Sequence, residues 1–169
     1  MPEFFFFYHA IVITALSLLV VTRENPVHSV LFMLVLFFHI ASLYLFLDAE
    51  FMAAVQIIVY AGAILVLFLF VVFLLNLRKE ELSRKYIGSW PTGFVVGAGI
   101  FAVLALTLVH VTPGPSSTFS ISYIEKVTNT RAVGTRLYTD YLFPFEVASV
   151  VLLVAIVGSI TLAKKRLKS

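Results

Sequence analysis

The sequence has no cysteine and few charged residues. The absence of cysteine excludes disulfides, thiolate metal sites, iron–sulfur ligation and a cysteine nucleophile. Asp, Glu, Lys and Arg together make up 12% of the chain, about half of their share in soluble domains. P-loop, Gly-x-Gly-x-x-Gly, Gly-x-Ser-x-Gly and His-Glu-x-x-His motifs are also missing. We therefore expect no active site, no metal site and no nucleic-acid recognition in this chain.

Apolar residues are abundant instead. They make up 61% of the 169 residues, against about 45–50% in soluble domains. A helix that crosses a bilayer needs about 20 consecutive apolar residues, and five stretches qualify: 4–22, 27–47, 51–75, 93–112 and 142–163. Because these runs are unbroken rather than alternating, we predict an all-α polytopic membrane protein, a single membrane domain over 1–169. We predict a polar loop over residues 113–141. The sequence does not distinguish partial disorder of this loop from a short surface helix within it.

The distribution of basic residues predicts the orientation in the membrane. Five spans place the two termini on opposite sides. One side carries nine Lys and Arg side chains and the other carries three. The nine are Arg23, Arg78, Lys79, Arg84, Lys85, Lys164, Lys165, Arg166 and Lys168, and the three are Lys126, Arg131 and Arg136. The positive-inside rule then predicts a cytoplasmic C-terminus, an N-terminus outside, and an outer position for the 113–141 loop.

The third predicted span contains a patch of small residues next to a phenol, Tyr60-Ala61-Gly62-Ala63, near its middle. Small residues allow neighbouring helices to approach closely. Glycine also tolerates a π-bulge, which inserts one residue into a helix and often marks a functional site. If such a bulge relaxed, the residues beyond it would turn by about 100°. From the spacing alone, a packing notch is the simpler interpretation.

Three segments resemble a known family. They are Asn-Pro-Val-His-Ser at 25–29, Gln-Ile-Ile-Val-Tyr-Ala-Gly-Ala-Ile-Leu-Val-Leu-Phe-Leu-Phe-Val at 56–71, and the block 137–149 with the apolar run 152–160. In this order they resemble subunit J of the proton-pumping NADH:quinone oxidoreductase, respiratory complex I, the bacterial relative of mitochondrial subunit six. The resemblance covers spans one to three and span five, while span four is similar only in hydropathy.

The resemblance implies a multi-pass subunit of the bacterial plasma (inner) membrane. It would lie in the membrane arm between the quinone-binding subunit and the antiporter-like subunits, among lipid and subunits K, A, H and N. It would bind no cofactor itself, although the parent complex uses NADH, FMN, iron–sulfur clusters and quinone.

The family's third helix has a π-bulge where this chain has Tyr60 and Gly62. Its switching is proposed to open or close a hydrated proton path beside glutamates of subunit K. Some relatives have glutamate where this chain has the neutral Gln56, so a proton relay here would need water and carboxylates from partner subunits.

Other polar residues are candidates for a proton path. Glu146 is either an intramembrane functional carboxylate or an acid of a first helical turn that the helix dipole favours. His39 would titrate near neutral pH, but a hydrogen bond to a neighbouring helix is the simpler expectation. Asp48 and Glu50 flank a tight turn, where solvation is more usual than a role in proton exit. His9 is expected near the membrane interface.

Two small-x-x-x-small pairs, Gly93 with Gly97 and Ala155 with Ser159, predict helix contacts. Two other interpretations of the whole chain stay open. It could be the related subunit of a multisubunit cation/proton antiporter or membrane-bound hydrogenase, or a purely structural or assembly subunit.

Overall fold

The computed structural model describes residues 2–75, 90–109 and 121–164. These residues are helical with short connections, and no strand occurs among them. The helices are α1 (Pro2–Thr22), α2 (Pro26–Phe46), α3 (Glu50–Val55), a π-helix (Gln56–Ile64), α4 (Leu65–Leu74), α5 (Trp90–Val109), α6 (Ile121–Val127), α7 (Asn129–Tyr138) and α8 (Leu142–Ala163). The prediction of an all-α protein is confirmed.

Among the residues that the structure describes, five helices are long and apolar enough to cross a membrane, as predicted. They are Glu3–Thr22, Pro26–Phe46, Glu50–Leu74, Pro91–Leu108 and Leu142–Ala163. The fourth helix begins at Trp90 rather than at residue 93, because Pro91 is compatible with the first helical turn, where its missing N–H is not needed. The predicted end of this span, 110–112, lies outside the described residues. The basic residues at 78–85 and 165–168, which are predicted to face the cytoplasm, also lie outside the described residues.

The chain forms two compact units, Met1–Ser117 and Thr118–Ser169. In the first unit, α1 and α2 form a hairpin whose turn is capped by Asn25. The Asn25 side chain accepts a hydrogen bond from the Val27 N–H at 2.9 Å, and Pro26 starts the helix. The Ser29 hydroxyl donates to the Val20 carbonyl and so ties the start of α2 to the end of α1.

The second reversal is made at Asp48. Its φ of 55° lies in the left-handed region, which Asp adopts more readily than most residues. The Ala49 N–H then donates to the Tyr44 carbonyl at 2.9 Å and satisfies the end of α2. The chain folds back at once, so α2 packs against α3, the π-helix and α4 in turn.

The second unit contains α6, α7 and α8. The described part of the predicted polar loop, residues 121–141, holds two short helices, and α7 packs against both α6 and α8. Thr128 joins α6 to α7 with φ 71° and ψ 146°. Arg136 forms an ion pair with Asp140, and the Tyr138 ring lies edge-on to Phe145 at 5.1 Å between centroids. Residues 113–120 of the predicted loop lie outside the described part of the chain.

Candidate functional site: a π-helix in the third span

The third membrane-crossing helix is not α-helical throughout. Nine of its residues, Gln56–Ile64, form a π-helix between α3 and α4. At its end, the Leu65 N–H donates to the carbonyl of Tyr60, five residues earlier, instead of to the carbonyl four residues earlier. Most π-helices are single turns, and many occur at functional sites. All four residues of the predicted patch, from Tyr60 to Ala63, lie inside this segment.

The spacing of the buried residues along the third span shows that the π-helix contains one residue more than a regular α-helix would. The positions of the third span that are buried against the rest of the chain are Ala53, Gln56, Ala61, Leu65 and Val72. Their spacings are three, five, four and seven. A regular α-helix keeps one face at spacings of three, four and seven, so the five-residue step across the π-helix is the exception. That step places Ala61, rather than Tyr60, on the face that packs against α2.

Tyr60 therefore lies at the edge of the contact between the third span and α2 and is not buried in it. Its ring is 46% exposed and meets Phe37 of α2 edge-on, with 6.0 Å between centroids. The Tyr60 hydroxyl has no hydrogen-bond partner among the residues that the structure describes. Gly62 and Ala63 are exposed too. The π-helix thus leaves a phenol and two small residues exposed, and the side that carries Tyr60 is its open side.

At Gly62, a carbonyl oxygen of the π-helix backbone comes close to the position that a side chain would occupy. A Cβ atom built on Gly62 would lie 3.2 Å from the carbonyl oxygen of Ile57, five residues earlier. The same Cβ on Gly93, Gly97 or Gly99 of α5 would meet no atom within 4 Å apart from its own nearby helix backbone. A side chain at Gly62 therefore requires the Ile57 carbonyl of the π-helix to shift by a few tenths of an ångström.

Gln56 is the first residue of the π-helix and is 6% exposed. It faces inward, towards the buried side of the span, rather than towards the open side that carries Tyr60. The structure thus places Gln56 and Ala61 on the buried face of one segment and leaves Tyr60, Gly62 and Ala63 exposed.

The remaining proton-path candidates lie elsewhere. Asp48 and Glu50 are exposed at the α2–α3 turn. Glu146 is exposed in the first turns of α8, where its carbonyl accepts a hydrogen bond from the Ser149 hydroxyl at 2.7 Å. His39 donates from Nδ1 to the Val35 carbonyl at 2.9 Å, one turn back on its own helix rather than on a neighbouring one.

His9 is a polar residue whose position the sequence did not reveal. It is 2% exposed and lies in the contact between α1 and α2. Its Nδ1 lies 2.9 Å from the Phe5 carbonyl oxygen and its Nε2 lies 3.1 Å from the Ser42 hydroxyl of α2. It also contacts His39, with 6.3 Å between ring centroids. An isolated histidine in an apolar run gives no sign of which helix it faces, so only the packing of α1 on α2 identifies this contact.

The two small-x-x-x-small pairs are exposed. Gly93 and Gly97 of α5, and Ala155 and Ser159 of α8, are all exposed. The Ser159 hydroxyl donates back to the Ala155 carbonyl at 2.9 Å.

Among the described residues, no cluster of three His, Cys, Asp or Glu side chains is placed to hold a metal ion. The described part of the chain thus offers an irregular helix and open apolar faces.

Helices of this length, with apolar side chains exposed on most of their surface, define a multi-pass membrane protein. Residues 16–162 match the family described as NADH-ubiquinone/plastoquinone oxidoreductase chain 6. The chain is 35% identical to the NADH-quinone oxidoreductase subunit J of Rickettsia typhi, over 98% of this chain and 82% of that one. It is 36% identical to NADH-ubiquinone oxidoreductase chain 6 of Marchantia polymorpha, over 92% and 84% of the two chains.

A third relative, NAD(P)H-quinone oxidoreductase chain 6 of Leptolyngbya boryana, is 40% identical over 86% of this chain and 71% of its own. The chain therefore belongs to the chain 6 or subunit J family of NADH-quinone oxidoreductase membrane subunits. The relatives' names differ in the electron donor and in the quinone, so membership of the family fixes neither.

Proposed function

We propose that this chain is a non-catalytic membrane-arm subunit of a proton-translocating NADH:quinone oxidoreductase, and that its π-helix acts as a switch that couples quinone reduction to proton movement. The observation that carries the proposal is the nine-residue π-helix at Gln56–Ile64, in the middle of a membrane-crossing helix. A π-helix stores one residue more than an α-helix needs over the same turns. Its relaxation would turn the segment beyond it by about 100° and shift it by about 1.5 Å.

The spacing of the buried residues specifies which side chains this rotation would bring to the face towards α2. If α3 stays fixed and the π-helix becomes α-helical, the residue four positions after Gln56 takes the face towards α2. That residue is Tyr60 in place of Ala61, followed by Ile64 in place of Leu65. Tyr60 would then leave the open side, and a polar group would be withdrawn from whatever path runs there.

The chemistry of the open side supports a hydrated path outside this chain. A phenol hydroxyl without a partner is costly in hydrocarbon, so the Tyr60 hydroxyl requires water or a polar group from another subunit. Gln56 is neutral, and the third span has no ionisable side chain between Phe51 and Leu75 except the Tyr60 phenol. Proton-carrying carboxylates would therefore belong to a neighbouring subunit, with subunit K as the proposed partner.

The proposed setting is the plasma membrane of a bacterium, with the C-terminus in the cytoplasm and the N-terminus outside. The nine basic residues on one side of the spans support this orientation. Subunits A, H and N and the antiporter-like subunits are the other proposed neighbours. NADH, FMN, iron–sulfur clusters and quinone would be bound by other subunits of the complex.

The substitution Gly62→Val tests the switch, because a branched Cβ at this position meets the Ile57 carbonyl of the π-helix. We expect NADH:quinone reduction and proton pumping in membrane vesicles to fall several-fold, while the complex still assembles on a native gel. Gly99→Val is the matched control, since its Cβ meets no atom within 4 Å apart from its own nearby helix backbone. Unchanged turnover in assembled Gly62→Val membranes would defeat the proposal.

A further inference from the structure

A polar and aromatic patch lies near the end of the α1–α2 hairpin at which α1 begins. Tyr8 and His9 of α1 contact His39 of α2, each with 6.3 Å between ring centroids. The two histidines differ in how their ring nitrogens are satisfied. Both nitrogens of His9 have partners within the chain, the Phe5 carbonyl and the Ser42 hydroxyl. His39 has a partner for only one of its two nitrogens.

The hydrogen bond that His39 makes fixes its tautomer. Nδ1 lies 2.9 Å from the carbonyl oxygen of Val35, and a carbonyl oxygen can only accept. Nδ1 therefore carries the proton, and in the neutral ring Nε2 is left as an acceptor. Among the residues that the structure describes, none supplies a donor to this nitrogen.

The position of His39 along α2 makes an unpaired acceptor costly. His39 precedes the last residue of α2, Phe46, by seven positions, which is about 10 Å along the helix axis. The hydrocarbon core is about 30 Å thick, so this nitrogen lies well below the level of the headgroups. Acyl chains carry no donor, and a polar group without a partner in hydrocarbon is unfavourable.

We infer that His39 Nε2 accepts a hydrogen bond from a side chain on a transmembrane helix of another subunit. The donor is a hydroxyl, an amide or a protonated carboxyl group. The inference rests on the membership of this chain in a family of oxidoreductase subunits, because such a chain has other membrane helices beside it. It does not depend on switching of the π-helix.

The surroundings of His39 fit a helix as the occupant of this surface. Val35 and Phe38 lie four residues and one residue before His39 and are 43% and 49% exposed. Residues spaced by three and four share one face of a helix. Val35 and Phe38 therefore give an apolar border to the acceptor nitrogen, and Tyr8 adds a half-exposed phenol from α1. A transmembrane helix packed there would bury apolar side chains around one interhelical hydrogen bond.

Photo-crosslinking in the assembled complex tests whether a subunit occupies this surface. A photoreactive phenylalanine analogue placed at Phe38 keeps His39 intact. We expect ultraviolet irradiation of membranes to link this chain to one other membrane subunit, identified by mass spectrometry. Adducts with lipid only would overturn the inference.

Substitution of His39 tests the hydrogen bond itself. We expect His39→Leu to weaken retention of this subunit in the complex about threefold during detergent washing, equivalent to about 0.6 kcal/mol for an interhelical hydrogen bond. His39→Gln keeps an acceptor and should retain most of the affinity. The exposed His28 at the start of α2 supplies the control, since His28→Leu should change nothing. Equal losses for His39→Leu and His39→Gln, or no loss for either, would contradict the inference. Retention is measured separately from turnover, so this result is independent of the Gly62→Val test.

Discussion

The bond between His9 and Ser42 offers a sharp test of how α1 and α2 are held together. The Nδ1 of His9 lies 2.9 Å from the Phe5 carbonyl oxygen and so carries the ring proton. The Nε2 of the neutral ring must then accept from the Ser42 hydroxyl, 3.1 Å away on the facing helix. Replacing Ser42 with Ala removes the donor and leaves a buried nitrogen without a partner, since His9 is 2% exposed.

The expected magnitude follows from the burial of His9. Hydrogen bonds between membrane helices contribute about 0.6 kcal/mol on average and up to about 1.7 kcal/mol. A buried acceptor that is left unsatisfied costs about 1–3 kcal/mol. We therefore expect Ser42→Ala to lower the free energy of unfolding by about 1 kcal/mol. In a His9→Phe background, which keeps an aromatic ring against Phe5 but has no acceptor, the same substitution should cost little.

The measurement is a double-mutant cycle on the purified chain in mild detergent, unfolded by titration with SDS and followed by circular dichroism. A coupling free energy of about 1 kcal/mol between the two sites is the expected result. Residues that do not interact give additive effects to within about 0.3–0.5 kcal/mol. Additivity within that range would refute the assignment of this hydrogen bond as a stabilising contact between α1 and α2.

Two further predictions concern turns. Asn25→Ala removes the side-chain acceptor of the Val27 N–H and should lower the free energy of SDS unfolding by about 1 kcal/mol. Asn25→Ser keeps an acceptor and should retain most of the stability. An Asn25→Ala variant as stable as the unmodified protein would contradict the role of Asn25 as a helix cap. Thr128 has φ 71° and ψ 146°, a region that glycine adopts more easily. Thr128→Gly should therefore slow amide hydrogen exchange across residues 121–138, whereas Thr128→Val should speed it, and faster exchange in the Gly variant would contradict the assigned strain.

The five membrane helices could be predicted from sequence because length and hydropathy are sufficient to identify them. The lipid solvent imposes one requirement, about 20 apolar residues per helix, and each run meets it without reference to its neighbours. The start of the fourth helix at Trp90 was missed because Pro91 and Thr92 interrupt the apolar run before Gly93. They belong to the helix by backbone geometry, and hydropathy does not report backbone geometry.

The site was predictable only in part. Glycine and small residues at 61–63 indicate that a distortion is tolerated, but they specify neither a nine-residue π-helix nor its start at Gln56. The extent of the π-helix depends on which side chains α2 accepts along its length, and that is a property of the packed pair. The burial of His9 depends likewise on the packing of α1 against α2. A single sequence pattern does not encode such contacts between helices.

The packing of the third span also shows where the proposed exchange between two helical registers would cost most. In the register of the structure, Ala61, Leu65 and Val72 face inward. In an α-helical register the same positions would be taken by Tyr60, Ile64 and Val71. Leucine for isoleucine and valine for valine nearly conserve volume, and such exchanges usually cost less than about 1.5 kcal/mol. Tyrosine for alanine does not conserve volume. The free-energy difference between the two registers is therefore concentrated at Tyr60 and Ala61, where Phe37 of α2 already contacts the phenol ring. The proposed switch therefore requires α2 to move at Phe37 so that the Tyr60 ring can be admitted, because the other exchanges along the interface nearly conserve volume.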